Sequence, residues 1–343
     1  MVGAGLLAVL IVVVGLVVFI QRSTSDTGLI RPGEIPGVLV GFRPDGKLVA
    51  IDGEHSQIRF WNIATAQEVG TAINDPSPEH VVLSMDGQRL GVLDSGCLAT
   101  SEPCDPMVEL GGKGARIRLY EVASARMTCK IDQADLADDI EFDPAGNTLL
   151  IAGYADAVTL WDANTCASVG QLEIPGNRSY NYNLIDVTSD GTVLGAHLRS
   201  SVDLWNIHTR ESIGRIDTGQ DENMLGAAVS SDGSMYATAS LDGTVRIWEV
   251  ASRQQIGPAL QHPAGPTSAA FSPDGRTLAT AGQFDGFYLW DVRTGRQLPP
   301  LSTPVDASGD VAFTSDGKKL AFGTYRENEK EKQFARVIIL KDI

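Results

Sequence analysis

The stretch Ser268-Ala269-Ala270-Phe271-Ser272-Pro273-Asp274-Gly275-Arg276-Thr277-Leu278-Ala279-Thr280-Ala281, followed by Phe287-Tyr288-Leu289-Trp290-Asp291-Val292, decides the fold of this 343-residue chain. Ser268–Phe271 reads as a short strand of small and apolar residues. Pro273 presets φ for a turn, Asp274 can hydrogen-bond the local backbone, and Gly275 tolerates a positive φ. Thr277–Ala281 then alternates as a second strand. Gln283-Phe284-Asp285-Gly286 turns the chain into a third strand, Phe287–Val292. Arg293-Thr294-Gly295-Arg296 turns it again into a fourth that starts at Gln297-Leu298. The unit is four antiparallel strands with hairpin chemistry at each joint.

Working outward, the same unit recurs. Its first turn appears as Pro44-Asp45-Gly46, Met85-Asp86-Gly87, Pro144-Ala145-Gly146, Ser189-Asp190-Gly191, Ser231-Asp232-Gly233, Pro273-Asp274-Gly275 and Ser315-Asp316-Gly317, with glycines 41, 59, 45, 42, 42 and 42 residues apart. A period near 42 exceeds a hairpin and matches one four-stranded propeller blade. The third strand of six copies ends in an aromatic-polar pair: Trp61-Asn62, Tyr120-Glu121, Trp161-Asp162, Trp205-Asn206, Trp248-Glu249 and Trp290-Asp291; all five tryptophans of the chain sit there.

On these residues the chain resembles the WD-repeat family in its bacterial style, over roughly residues 28–343. The resemblance implies an all-β fold, a seven-bladed β-propeller of four-stranded antiparallel blades, with partners docking on one loop-bearing face and its central pore. Departures are visible. The Gly-His pair that often precedes the first strand is absent, only two pairs are literally Trp-Asp, and the seventh copy has Leu340-Lys341 instead. The family's side-chain hydrogen-bond network is therefore expected to be incomplete.

The seventh copy ends at Ile343 with three strands, leaving an edge that needs a partner. Residues 27–32 resemble the fourth-strand segments of other copies and are the expected clasp. The 59-residue spacing places an insertion at 94–113 in the second copy, bearing Cys97 and Cys104, a candidate disulfide pair. Cys129 and Cys166 fall near the outer rims of adjacent copies, where the sequence is compatible with a cross-link or with two buried thiols.

Residues 1–20 carry no charge and as a helix would reach about 30 Å, enough for a bilayer. They are expected to be a transmembrane helix acting as a signal anchor, joined by a short linker, 21–27, to the propeller. This makes a single-pass membrane protein. Arg22 and Arg31 favour a cytoplasmic propeller, the cysteine-bearing loop an extracytoplasmic one, and the latter is preferred.

No phosphate loop, zinc-protease helix, serine elbow or calcium loop is present, and the five histidines share no spacing, so no catalytic, cofactor or metal residue is assigned. The net charge of −16 opposes nucleic acid and suits a protein or peptide partner, including a cationic one. Tyr154, Tyr180, Tyr182, Arg199, Phe284, Tyr325 and Arg326 are the candidate contact residues, aromatics and arginines expected on the loop face. The expected role is a non-catalytic scaffold or sensor module. The alternatives are a TolB-like envelope propeller with an assembly or gating role, suggested by Phe313-Thr314-Ser315-Asp316-Gly317, or an enzymatic propeller whose site is dispersed over several blades.

Overall fold

The computed structural model describes residues 12–13, 16–17, 35–36, 38–42, 47–52, 57–62, 65, 67–76, 80–94, 115–132, 137–153, 157–172, 182–197, 201–220, 224–262, 265–282, 286–299, 307–328 and 333–343. They form an all-β propeller. Each sequence repeat contributes one antiparallel sheet, and the strands a to d of a sheet follow one another from the axis outward. Repeat 2 shows the plan, with His80–Leu83, Arg89–Asp94, Arg116–Glu121 and Arg126–Asp132 paired in that order. Repeats 3, 4 and 5 repeat it over Ala137–Leu172, Tyr182–Asp217 and Met224–Gln261. In repeat 1 the outer strand is broken into Gln67–Glu68 and Ile73–Asn74, both on Gln57–Asn62; Gly70, at φ +82°, lies at the break.

Among the described residues six sheets have four strands or more, one fewer than the seven expected. The difference lies in repeat 6, whose sheet is Pro266–Phe271, Thr277–Gly282 and Phe287–Asp291. Its fourth strand shrinks to a single bridge between Trp290 and Gln297. Pro299 and Pro300 follow at once, and proline has no N–H to continue a ladder.

Repeat 7 closes with a strand from the other end of the chain. Ile35 and Pro36 pair with Ile338 and Val337, next to Gln333–Asp342. The expected clasp, 27–32, and most of the insertion 94–113 lie outside the described residues. So does most of 1–20; the four residues described there, Val12–Val13 and Leu16–Val17, pair as two short strands rather than forming a helix. Among the described residues no helix is long and apolar enough to cross a membrane.

The repeated turns fold for a reason that the sequence half shows. In repeat 6 the Asp274 carboxylate accepts from Ser272 Oγ (2.7 Å) and Arg276 N (3.1 Å), while Ser272 Oγ accepts from Thr277 N at 2.9 Å. Gly275 stands at φ +68°. Ser84, Ser230 and Thr314 do the same in repeats 2, 5 and 7. In repeat 3, where Ala145 replaces the aspartate, Asp143 instead accepts from Asn147 N and Thr148 N. The aspartate of the Trp-Asp pair caps the turn after strand c, as Asp162 does for Asn164 N and Thr165 N.

Apolar residues pack between sheets rather than within one. Ile58, Phe60 and Ile73 of repeat 1 meet Val81, Leu90 and Tyr120 of repeat 2. Equivalent clusters fill the joints from repeat 2 through repeat 7, among them Trp205 and Tyr236, both fully buried. Stability therefore resides in the joints.

Candidate interaction surface

Strand direction alternates, so the starts of strands a and the ends of strands b emerge on one face and the aspartate-glycine turns on the other. The former is the expected partner face. Of the candidate contact residues, Tyr154, Tyr180, Arg199 and Phe284, and the pair Cys97 and Cys104, lie outside the described residues. Tyr182 opens strand a of repeat 4, opposite His197. Tyr325 and Arg326 are not loop residues: the hairpin of repeat 7 runs on in register, opposing them to Arg336 and Ala335 and continuing to Asn328 and Gln333.

What the described part of this face brings together is a set of charged groups at the joint of repeats 2 and 3. His80 Nε2 lies 3.1 Å from the Asp139 carboxylate, with the imidazole 43% exposed. Asp139 also accepts from Ile140 N at 2.9 Å and from Ile185 N at 2.8 Å, so it spans repeats 2, 3 and 4. Burial, and then the charge of Asp139, push the Asp138 carboxyl up to about 7. Deeper along the same inner strands, burial followed by the Asp186 and Asp139 charges holds the Glu141 carboxyl well above the ordinary range. Burial and Asp139 raise Asp186 to about 8. Asp138 and Asp186 are proton carriers near neutral pH rather than fixed charges. Among the described residues no three His, Cys, Asp or Glu side chains are placed to hold a metal ion.

A second group on this face locks repeat 1 to repeat 2. Arg118 donates through Nε (2.6 Å) and Nη2 (2.8 Å) to Asp75, and the Tyr120 hydroxyl donates to Asp75 at 2.7 Å. Asp94 adds contacts to Arg118 (3.4 Å) and Arg116 (3.5 Å). Asp75 is 1% exposed and Arg118 6%. At the next such position, between repeats 4 and 5, Gln220 donates to Thr244 O and accepts from Thr238 Oγ1, which in turn accepts from Trp248 Nε1 at 3.1 Å. Between repeats 5 and 6, buried His262 packs edge-on against Tyr288, and Trp290 Nε1 donates to Thr280 Oγ1 at 2.8 Å. The side-chain network is thus present in altered chemistry at three joints and is incomplete in repeats 1 and 3, as expected: among the described residues Trp61 Nε1 has no hydrogen-bond partner, and Trp161 Nε1 donates to Thr159 of its own strand. Sequence reasoning missed Asp75, Gln220 and His262; their signal was a polar residue a few positions before each new strand a.

Comparison with known proteins follows the same lines. The WD domain, G-beta repeat family matches residues 213–249 and 258–291, the outer strand of repeat 4 through repeat 6. The chain is 27% identical over 176 residues to transcription factor unc-37 of Caenorhabditis elegans, covering 47% of this chain and 28% of that protein. It is 22% identical over 166 residues to protein groucho of Drosophila melanogaster, covering 47% and 22%. It is 24% identical over 224 residues to the periodic tryptophan protein 2 homolog of Dictyostelium discoideum, covering 64% and 22%. The match thus spans less than a third of each of these relatives. This chain carries WD40 repeats, folded as a β-propeller.

Proposed function

We propose that this chain is a protein- or peptide-binding scaffold that presents its strand a and strand b loop face to a partner, without catalysis. The observation that carries the reading is the joint of repeats 2 and 3, where exposed His80 and the carboxyls Asp138 and Asp139 meet at the mouth of the ring on a chain of net charge −16. Asp138 gives up its proton when a cation is placed beside it, so a partner segment rich in Lys or Arg fits that chemistry. In this proposal the three-stranded sheet of repeat 6 counts as a blade of a seven-membered ring, supported by its packing against repeats 5 and 7.

Photo-crosslinking of the full chain in its own cells tests the scaffold. A crosslinker at Asp138 or Leu241, on the loop face, is expected to trap a discrete protein adduct. The same group at Asp274 or Asp316, on the opposite face, is expected to trap none. Equal labelling from both faces, or none from either, overturns the proposal.

A further inference from the structure

We infer that the ring is stapled covalently between repeats 2 and 3 and that the propeller therefore folds in an oxidising compartment, outside the cytoplasm. The inference is independent of what the propeller binds. Cys129 on the outer strand of repeat 2 and Cys166 in the turn after strand c of repeat 3 form a disulfide, with Cα atoms 6.0 Å apart. That spacing is within the usual range of about 4.4–6.8 Å.

The repeat itself gives the argument its weight. Cys129 stands opposite Leu119, just before a bulge; Gly170 stands opposite Leu160 and Gly214 opposite Leu204 in the same way. Cys166, Arg210 and Arg253 likewise share one place, at φ +56°, +61° and +62°, each closing a turn onto the residue four earlier. The two places face each other across the joints of repeats 2 and 3, 3 and 4, and 4 and 5. At repeats 3 and 4, Gly170 leaves room for Arg210; at repeats 4 and 5, Gly214 leaves room for Arg253, whose Nη1 donates to Ile213 O at 3.0 Å. Of these three joints, the one between repeats 2 and 3 has cysteine at both partner places. Two unrelated substitutions meeting at one contact are what a selected cross-link requires.

Formation joins Sγ to Sγ and passes two electrons and two protons to an exchanging disulfide, which leaves as two thiols. Both cysteines are partly exposed, so glutathione-poised cytosol would keep them reduced. An oxidising compartment makes the bond permanent.

The test uses the full-length protein in its own cells, quenched in acid, alkylated with N-ethylmaleimide and digested with trypsin without reduction. The peptide Met127–Lys130 is expected to be recovered joined to the peptide carrying Cys166. Recovery of both cysteines alkylated overturns the inference. A second variant guards against misfolding. Cys129→Gly with Cys166→Arg rebuilds the contact of the neighbouring joints and is expected to fold, with a thermal midpoint indifferent to reductant. The wild type is expected to lose several degrees on reduction. A wild-type midpoint unmoved by complete reduction overturns the staple.

Discussion

Replacing Asp75 with alanine is expected to destabilise the ring by about 3–5 kcal/mol. The carboxylate is 1% exposed and receives two guanidinium hydrogens of Arg118 and the hydroxyl of Tyr120. Its removal leaves a cation that is 6% exposed at the joint of repeats 1 and 2, with its main counter-charge gone. Desolvation, not the lost attraction, sets the cost. Unfolding entropy of about 2.1 cal/mol/K per residue over roughly 300 residues converts this to a drop of about 5–8 °C in the midpoint. Tyr120→Phe removes one hydrogen bond only and should cost about 1–1.5 kcal/mol. Asp75→Leu with Arg118→Met removes both charges and should recover most of the loss. Differential scanning calorimetry at pH 7 reads all of these. If Asp75→Ala lowers the midpoint by less than 2 °C, or if the paired apolar variant is as unstable as the single one, burial of charge is not what governs this joint.

Three further outcomes follow from the same geometry. The midpoint should peak near pH 4. Asp186 holds in the native state a proton that the unfolded chain has released, so stability falls by about 1 kcal/mol per pH unit as pH rises from about 4 toward 8, and the raised Glu141 carboxyl acts in the same direction. The turn carboxylates Asp86, Asp190, Asp232 and Asp274 are held below their ordinary value by hydrogen bonds, chiefly from Ser or Thr hydroxyls, and their contribution is lost below about pH 4. Asp186→Asn should flatten the alkaline limb in a thermal-shift series; an unchanged slope contradicts the assignment. Gly214→Ala should cost about 1–3 kcal/mol, because φ is +145° and the new Cβ meets the Arg253 guanidinium. Adding Arg253→Ala should return part of that in urea titration, and no recovery would show that backbone strain alone acts. Thr280→Val should cost about 1–2 kcal/mol by stranding Trp290 Nε1, seen as a shifted tryptophan emission; an unshifted spectrum argues against the bond.

The strands were legible because turns of Asp and Gly and the aromatic end of strand c recur at a fixed period, and local chemistry alone sets both. The aspartates were read correctly as turn anchors, but their Ser or Thr partners two residues earlier were overlooked, since a hydroxyl at a strand end carries no period of its own. The joints were opaque for a different reason. Asp75 reaches Arg118 across 43 residues and Cys129 reaches Cys166 across 37, and the sequence does not say which outer residue faces which turn until register is known. Strand extent in repeat 7 was missed because Arg326-Glu327-Asn328 is polar, and hydropathy marks such a stretch as a turn even when cross-strand pairing continues through it. Of the candidate contact residues, Tyr182, Tyr325 and Arg326 could be placed, all three in strands.

The seam at Ile35 and Pro36 has a mechanical meaning. Every covalent path from the first thirty-four residues into the ring enters through that two-residue strand, and Pro36 has no N–H with which to hold on. Tension applied from the N-terminal side is therefore delivered to a two-residue pairing before it reaches the longer ladders of the ring. The ring has a designated opening point, and a pull along the chain would peel it from repeat 7 while the five joints from Ile58 to Trp290 stay packed.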